Sequence, residues 1–191
     1  MGVADIKKEL RKLDKSKLIE IITELYRKNK SVRQYFDFYM NPNEKELATK
    51  YKRKVFEAFY PTKGDRYSLK DGKQAITEFK KYEPSPELIA DLMLFYVETA
   101  VQFTNDFGDI NEAFYSSIGS TYLSSLTLMR KDNILKSFSE RVKKVVKDTE
   151  DVGWGLHDYL LEIYFDFCGG DLEHPTEVAS EQRGKVVKIH R

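Results

Sequence analysis

Few residues in this chain are suited to chemistry. Its 191 residues include three histidines, His157, His174 and His190, and one cysteine, Cys168. His157 stands in the run Gly153-Trp154-Gly155-Leu156-His157-Asp158, where the only tryptophan lies between two glycines. In that run Asp158 could orient a protonatable imidazole, with Trp154 at the rim of a pocket. The same residues would also serve as a tight turn, with Trp154 anchored in the core. A second cluster, Phe103 to Ile110, groups Thr104, Asn105 and Asp106 with Gly108 and Asp109. Glu98, Gln102 and Asn105 recur at helical spacing on an otherwise apolar stretch. They could line a polar groove or hold a hard cation. The candidate ligand-binding set is therefore Glu98, Asn105, Asp109, Trp154, His157 and Asp158. A plainer reading covers the second cluster as well: Asn105 or Asp106 ends one helix, Gly108 turns the chain, and Asp109 caps the next helix.

The established catalytic constellations are missing from the sequence. It has no Gly-x-x-x-x-Gly-Lys-Ser/Thr loop, no Gly-x-Gly-x-x-Gly, no Gly-x-Ser-x-Gly and no His-Glu-x-x-His. Glu-x-x-His, the di-iron signature of helical bundles, is also missing. His157-Asp158 matches the His-Asp pair of metal phosphohydrolases, but no histidine precedes it to complete such a site. Cys168 and His157 share a face of one predicted helix, eleven residues apart and so roughly 16 Å along its axis. That is far beyond the ~3 Å that proton transfer needs. Cys168 reads as a small buried hydrophobe. No catalytic residue, metal or cofactor is expected.

Helices must position these residues, because apolar spacing is helical nearly throughout. Helices are expected near 4–12, 15–29, 31–40 and 44–59, then one that Ser68 and Asp71 can cap, with Ala75, Ile76 and Phe79 on its face, then near 86–106, 110–131, 133–149 and 155–168. Their starts are marked by Asp14 or Ser16, by Asn43 with Glu46, and by Ser68 and Ser85-Pro86-Glu87. Asp109 with Glu112, and Asp132, mark the later ones. Gly72 is expected to weaken its helix by about 1 kcal/mol relative to Ala. The 86–106 helix is apolar around most of its girth and is expected at the centre. The next helix carries Ser116, Ser117, Gly119, Ser120, Ser124 and Ser125 on one side, where a neighbour could approach closely. The fold class is all-α, eight or nine helices in antiparallel hairpins, with residues 1–170 forming one domain and 171–191 a polar tail.

Charge and composition narrow the partners. Residues 1–81 hold 21 Lys/Arg against 12 Asp/Glu, and residues 82–191 hold 11 against 19. The two halves can complement each other. Alternatively the basic half, with Lys50, Lys52, Arg53, Lys54, Lys63, Arg66, Lys70 and Lys73 beside Tyr51, Tyr60 and Tyr67, could meet an anion or nucleic acid. The longest apolar run, Leu92 to Val97, is far short of the roughly 20 residues a membrane span needs. One cysteine cannot form an internal disulfide, so the cytoplasm is the default compartment. The leading expectation is a non-enzymatic helical interaction protein whose partner is another protein.

Both clusters resemble those of an uncharacterised bacterial family, a domain of unknown function. The resemblance is carried by Phe103-Thr104-Asn105-x-Phe107-Gly108-Asp109-Ile110 and by Gly153-Trp154-Gly155-x-His157-Asp158. Ser85-Pro86-Glu87-Leu88, Asp91-Leu92-Met93 and the spacing from Leu10 to Ile19 add to it. It covers roughly residues 6 to 168, and it implies no established activity, substrate or cofactor.

Overall fold

The structure, a computed structural model, describes residues 1–64 and 66–169. The polar stretch 171–191, with His174 and His190, lies outside the described residues. Among those described there are nine α-helices and no strand. The chain parts into two compact units, Met1–Glu44 and the residues from Lys45 onward.

The first unit comprises α1 (Val3–Leu10), α2 (Lys15–Lys28) and α3 (Lys30–Met40). Asp14 caps α2 by accepting from the Lys17 amide at 2.8 Å. Asn29 alone joins α2 to α3, and its side chain accepts from the Ser31 and Val32 amides. The Tyr26 hydroxyl donates to Asp37 at 2.7 Å, and Arg33 donates to the carbonyls of Tyr26 and Arg27. These bonds hold α2 against α3. No residue of the three helices is buried.

The second unit holds α4 (Glu44–Phe59), α5 (Leu69–Lys80), α6 (Pro86–Phe107), α7 (Glu112–Lys131), α8 (Leu135–Lys147) and α9 (Leu156–Cys168). As the apolar girth of α6 requires, this helix is central: Leu92, Leu94, Tyr96, Val97 and Ala100 have no exposed surface. It packs on α5, α7 and α8, and α9 packs on α7 and α8. The small-residue side of α7 does admit neighbours. A Cβ on Gly119 would lie 2.3 Å from the Tyr159 ring, and Ser117 shares a 2.7 Å hydrogen bond with the buried Tyr96 hydroxyl.

Two helix starts differ from expectation. Helix α7 begins at Glu112, capped not by Asp109 but by Asn111, whose side chain accepts from the Phe114 amide at 3.0 Å. Asp132 does not cap α8, because Asp132 and Asn133 belong to the end of α7. Asn133 adopts a left-handed conformation (φ 57°), which Asn tolerates, and the Ile134 amide returns to the Met129 carbonyl at 2.9 Å. That closure satisfies the last carbonyls of α7 and delays α8 to Leu135.

Gly72 also has a role that helix propensity does not reveal. A Cβ there would lie 2.7 Å from the Tyr96 ring, which is wholly buried and tied to Ser117. Propensity alone predicts that Gly72→Ala gains about 1 kcal/mol. Overpacking against an immobile ring reverses the sign, so the variant is expected to lose about 1–3 kcal/mol in urea denaturation. Equal or greater stability in Gly72→Ala would show that Tyr96 can yield.

Candidate functional site

Four of the six nominated residues meet at one corner of the second unit, where the α6–α7 turn lies against the α8–α9 turn. Two of them, Asn105 and His157, reach the C-terminal end of α8, whose last carbonyls have no partner inside the helix. The Asn105 side chain, from the end of α6, donates to the Asp148 carbonyl at 2.9 Å. His157 Nδ1, from the first turn of α9, lies 3.2 Å from the Val146 carbonyl and 3.3 Å from the Thr149 hydroxyl. A carbonyl only accepts, so Nδ1 carries the proton in the first of these contacts. Thr149 is fully buried and donates to the same carbonyl at 2.6 Å. His157 is thus oriented by α8 and the residues just after it, while Asp158 is exposed in the first turn of α9, near the positive end of that helix.

Asp109 joins the corner through a residue the sequence reading did not single out. The buried Tyr115 hydroxyl donates to Asp109 at 3.0 Å, accepts from the Ile110 amide at 3.1 Å and lies 2.9 Å from the Thr104 hydroxyl. The Asp109 carboxylate then lies over Gly153, where a Cβ would stand 2.8 Å from its oxygen. Trp154 is not anchored in the core. It is 62% exposed and stacks over Tyr115, with ring centroids 6.3 Å apart and planes at 28°. Trp154 and Gly155 are both left-handed, with φ of 62° and 67°.

Glu98 lies elsewhere, in an ionic ladder that explains a carboxylate on an apolar helix. Arg141 of α8 holds Glu98 through two hydrogen bonds, both 2.8 Å, and reaches Asp91 at 2.6 Å. Lys52 of α4 pairs with the other Asp91 oxygen at 2.7 Å. Asp91 and Glu98 are seven residues apart and share one face of α6. Burial pushes the Asp91 carboxyl up, but hydrogen bonds from Lys52 and Arg141 outweigh it and hold it below the ordinary carboxylate value. Nothing local in the sequence marks Arg141, which sits among the solvated lysines of α8. The Asp91/Glu98 spacing is the one signal that called for a cation.

Glu98 and Gln102 also line a groove of about 540 Å³ between α4, α6 and α8, whose aromatic walls are Phe56, Tyr60 and Phe95. Asn105 is not part of it. Among the described residues, no group of three or more His, Cys, Asp or Glu side chains is placed to hold a metal ion. No described helix is long and apolar enough to cross a membrane.

Removing Arg141 leaves two carboxylates on one face of α6 with Lys52 alone. Arg141→Ala is expected to cost about 2 kcal/mol, less than a fully buried pair would because the groups are partly solvated. The ladder also sets a pH dependence. Asp91 takes up its proton less readily folded than unfolded, so its stabilisation is complete above the ordinary carboxylate range. It is lost as pH falls from about 5 through the folded value. Asp91→Asn should flatten that part of the stability profile, and an unchanged acid limb would remove Asp91 from it.

No curated protein and no solved structure matches the chain. Residues 1–167 match the model of a family described as "Family of unknown function (DUF6155)", a span that includes both motif clusters and the ionic ladder. The chain belongs to that family.

Proposed function

We propose that the chain is a non-catalytic helical interaction protein and that α2 and α3 form its docking surface. The observation that carries this reading is the lack of any buried residue in α1, α2 and α3. Burial is what offsets the conformational entropy of ordering a short helical unit. Yet apolar side chains recur there at helical spacing and stay in water: Ile19, Ile22 and Leu25 on α2, and Tyr35, Tyr39 and Met40 on α3, the last two 66% and 67% exposed. Tyr, Met and Arg are the residues that interface cores favour.

The occupant is an amphipathic helix of another protein with acidic flanks. Residues 1–44 carry ten Lys/Arg against seven Asp/Glu, and Glu9, Glu20 and Glu24 are each paired with a lysine of their own segment. The rim is therefore basic around an apolar strip. A cytoplasmic setting fits a chain whose single cysteine rules out an internal disulfide.

The competing readings have less support. A ligand site or hydrolase at His157, Asp158, Asn105 and Asp109 would need Asn105 and His157, which bond to carbonyls at the end of α8, and Asp109, which is held by Tyr115. An anion or nucleic-acid site on the basic half would need Lys52 and Lys54, which are paired with Asp91 and Glu78 at 2.7 Å.

The test compares the full chain with an Ile22→Glu/Tyr39→Glu variant. The probe is a fluorescein-labelled synthetic helix with leucines at heptad spacing and glutamates on its flanks. The variant is expected to melt within about 2 °C of the parent, because exposed sites tolerate charge, and to lose the peptide. A large fall in melting temperature would mean the chain itself covers this face, and concentration-dependent light scattering of the parent would mean a second copy does. Either result, or equal peptide binding by both proteins, overturns the proposal.

A further inference from the structure

The groove between α4, α6 and α8 belongs to the second unit and is independent of the docking surface proposed above. Its volume of about 540 Å³ lies within the range of small-molecule sites. Phe56 and Tyr60, four residues apart on and just after α4, stack nearly parallel, with centroids 4.9 Å apart and planes at 16°. Phe56 is 47% exposed, so it presents ring surface to the groove and to water. Phe95 lines the groove from α6, and the Lys52 ammonium already stands 5.3 Å from its ring centroid. An aromatic face in this unit thus already holds a cation.

The charges around the groove decide what else fits. Arg141 is matched by Glu98 and Asp91, with Lys52 completing a ladder of two cations and two anions. Lys144 is matched by Asp148 one turn on. Asp106 differs. Its two oxygens accept from the Tyr60 hydroxyl at 2.5 Å and from the Gln102 amide at 2.7 Å, both neutral groups. These bonds fix the carboxylate in place and favour its ionised form, but they leave its charge uncompensated. The groove therefore combines aromatic walls, which attract cations through their faces, with one positioned negative charge.

We propose that this groove binds an organic cation, a primary ammonium carried on an apolar body. The ammonium would pair with Asp106 and the body would lie against Phe56 and Tyr60. The same chemistry is offered by a free amine and by a lysine side chain of a protein.

The test is calorimetric titration of the full chain with 4-phenylbutylamine, with the neutral 4-phenylbutanol, and with a blocked lysine dipeptide. The amine or the dipeptide, or both, should bind, and the alcohol should bind at least about tenfold more weakly. A response to the dipeptide alone identifies a protein lysine as the source, and a response to the amine alone a free amine. Asp106→Asn keeps the shape and both donors in reach while removing the charge, and should weaken binding by about tenfold or more. Phe56→Ala, at a half-exposed site, should weaken it while leaving the melting temperature near that of the parent. Equal affinity for alcohol and amine, binding unaffected by Asp106→Asn, or no heat from either cation overturns the proposal.

Discussion

Enclosing α6 is the constraint on which the second unit depends. A helix that is apolar on nearly every side cannot lie on a surface, and the surrounding helices have to supply cover shaped to its side chains. Tyr96 shows how this propagates. Its ring needs space, which Gly72 on α5 provides, and its buried hydroxyl needs a partner, which Ser117 on α7 provides. The two carboxylates that interrupt the apolar surface, Asp91 and Glu98, need cations from the helices that cover them, and Lys52 and Arg141 come from α4 and α8. Small residues and charges on four neighbours thus answer to features of one helix.

A helix packed this way still leaves the ends of its neighbours to be satisfied. Helix α8 ends where α6 turns into α7 and where α9 begins, and the amides of Asp148, Thr149 and Glu150 turn back onto the carbonyls of Lys144, Val146 and Lys147, to which side chains add further donors at the Val146 and Asp148 carbonyls. Asn105, Thr149 and His157 supply donors from three separate segments. Tyr115 holds the opposite side of the corner by binding Asp109 and the Ile110 amide together. Thr104, Asn105 and His157 of the two sequence motifs accordingly act on backbone carbonyls, and Asp109 is held by the Tyr115 hydroxyl.

Much of this fold was legible because it is local. Apolar periodicity locates the nine helices of the described residues, and the caps at Asp14 and Ser68 follow from side-chain chemistry within three residues. The capping rule failed where two polar residues competed. Asp109 and Asn111 are both good caps, and the Tyr115 hydroxyl, six residues further on, draws Asp109 away and leaves Asn111 to cap α7. It failed again at Asp132, because Asn133 can adopt the left-handed turn that ends a helix as readily as an aspartate can begin one. The groove was only half legible. Glu98 and Gln102 fall at helical spacing, but Phe56, Tyr60 and Arg141 are brought to them over forty or so residues of intervening chain, and no spacing rule reaches that far.

The Gly-Trp-Gly run can now be separated into backbone demands and a side-chain demand. Gly153 is required because the Asp109 carboxylate occupies the space of a Cβ, and Gly155 because its φ of 67° is left-handed. Trp154 has no such excuse. It holds a left-handed conformation at a cost of about 1–2 kcal/mol, where Asn or Gly would be better suited, and it remains mostly exposed. The backbone alone would select against it, so the indole itself is what the position uses. Stacked over Tyr115, it covers the ring whose hydroxyl joins Asp109 to the α6–α7 turn. The strain at Trp154 is thereby tied to the same corner that seals α8.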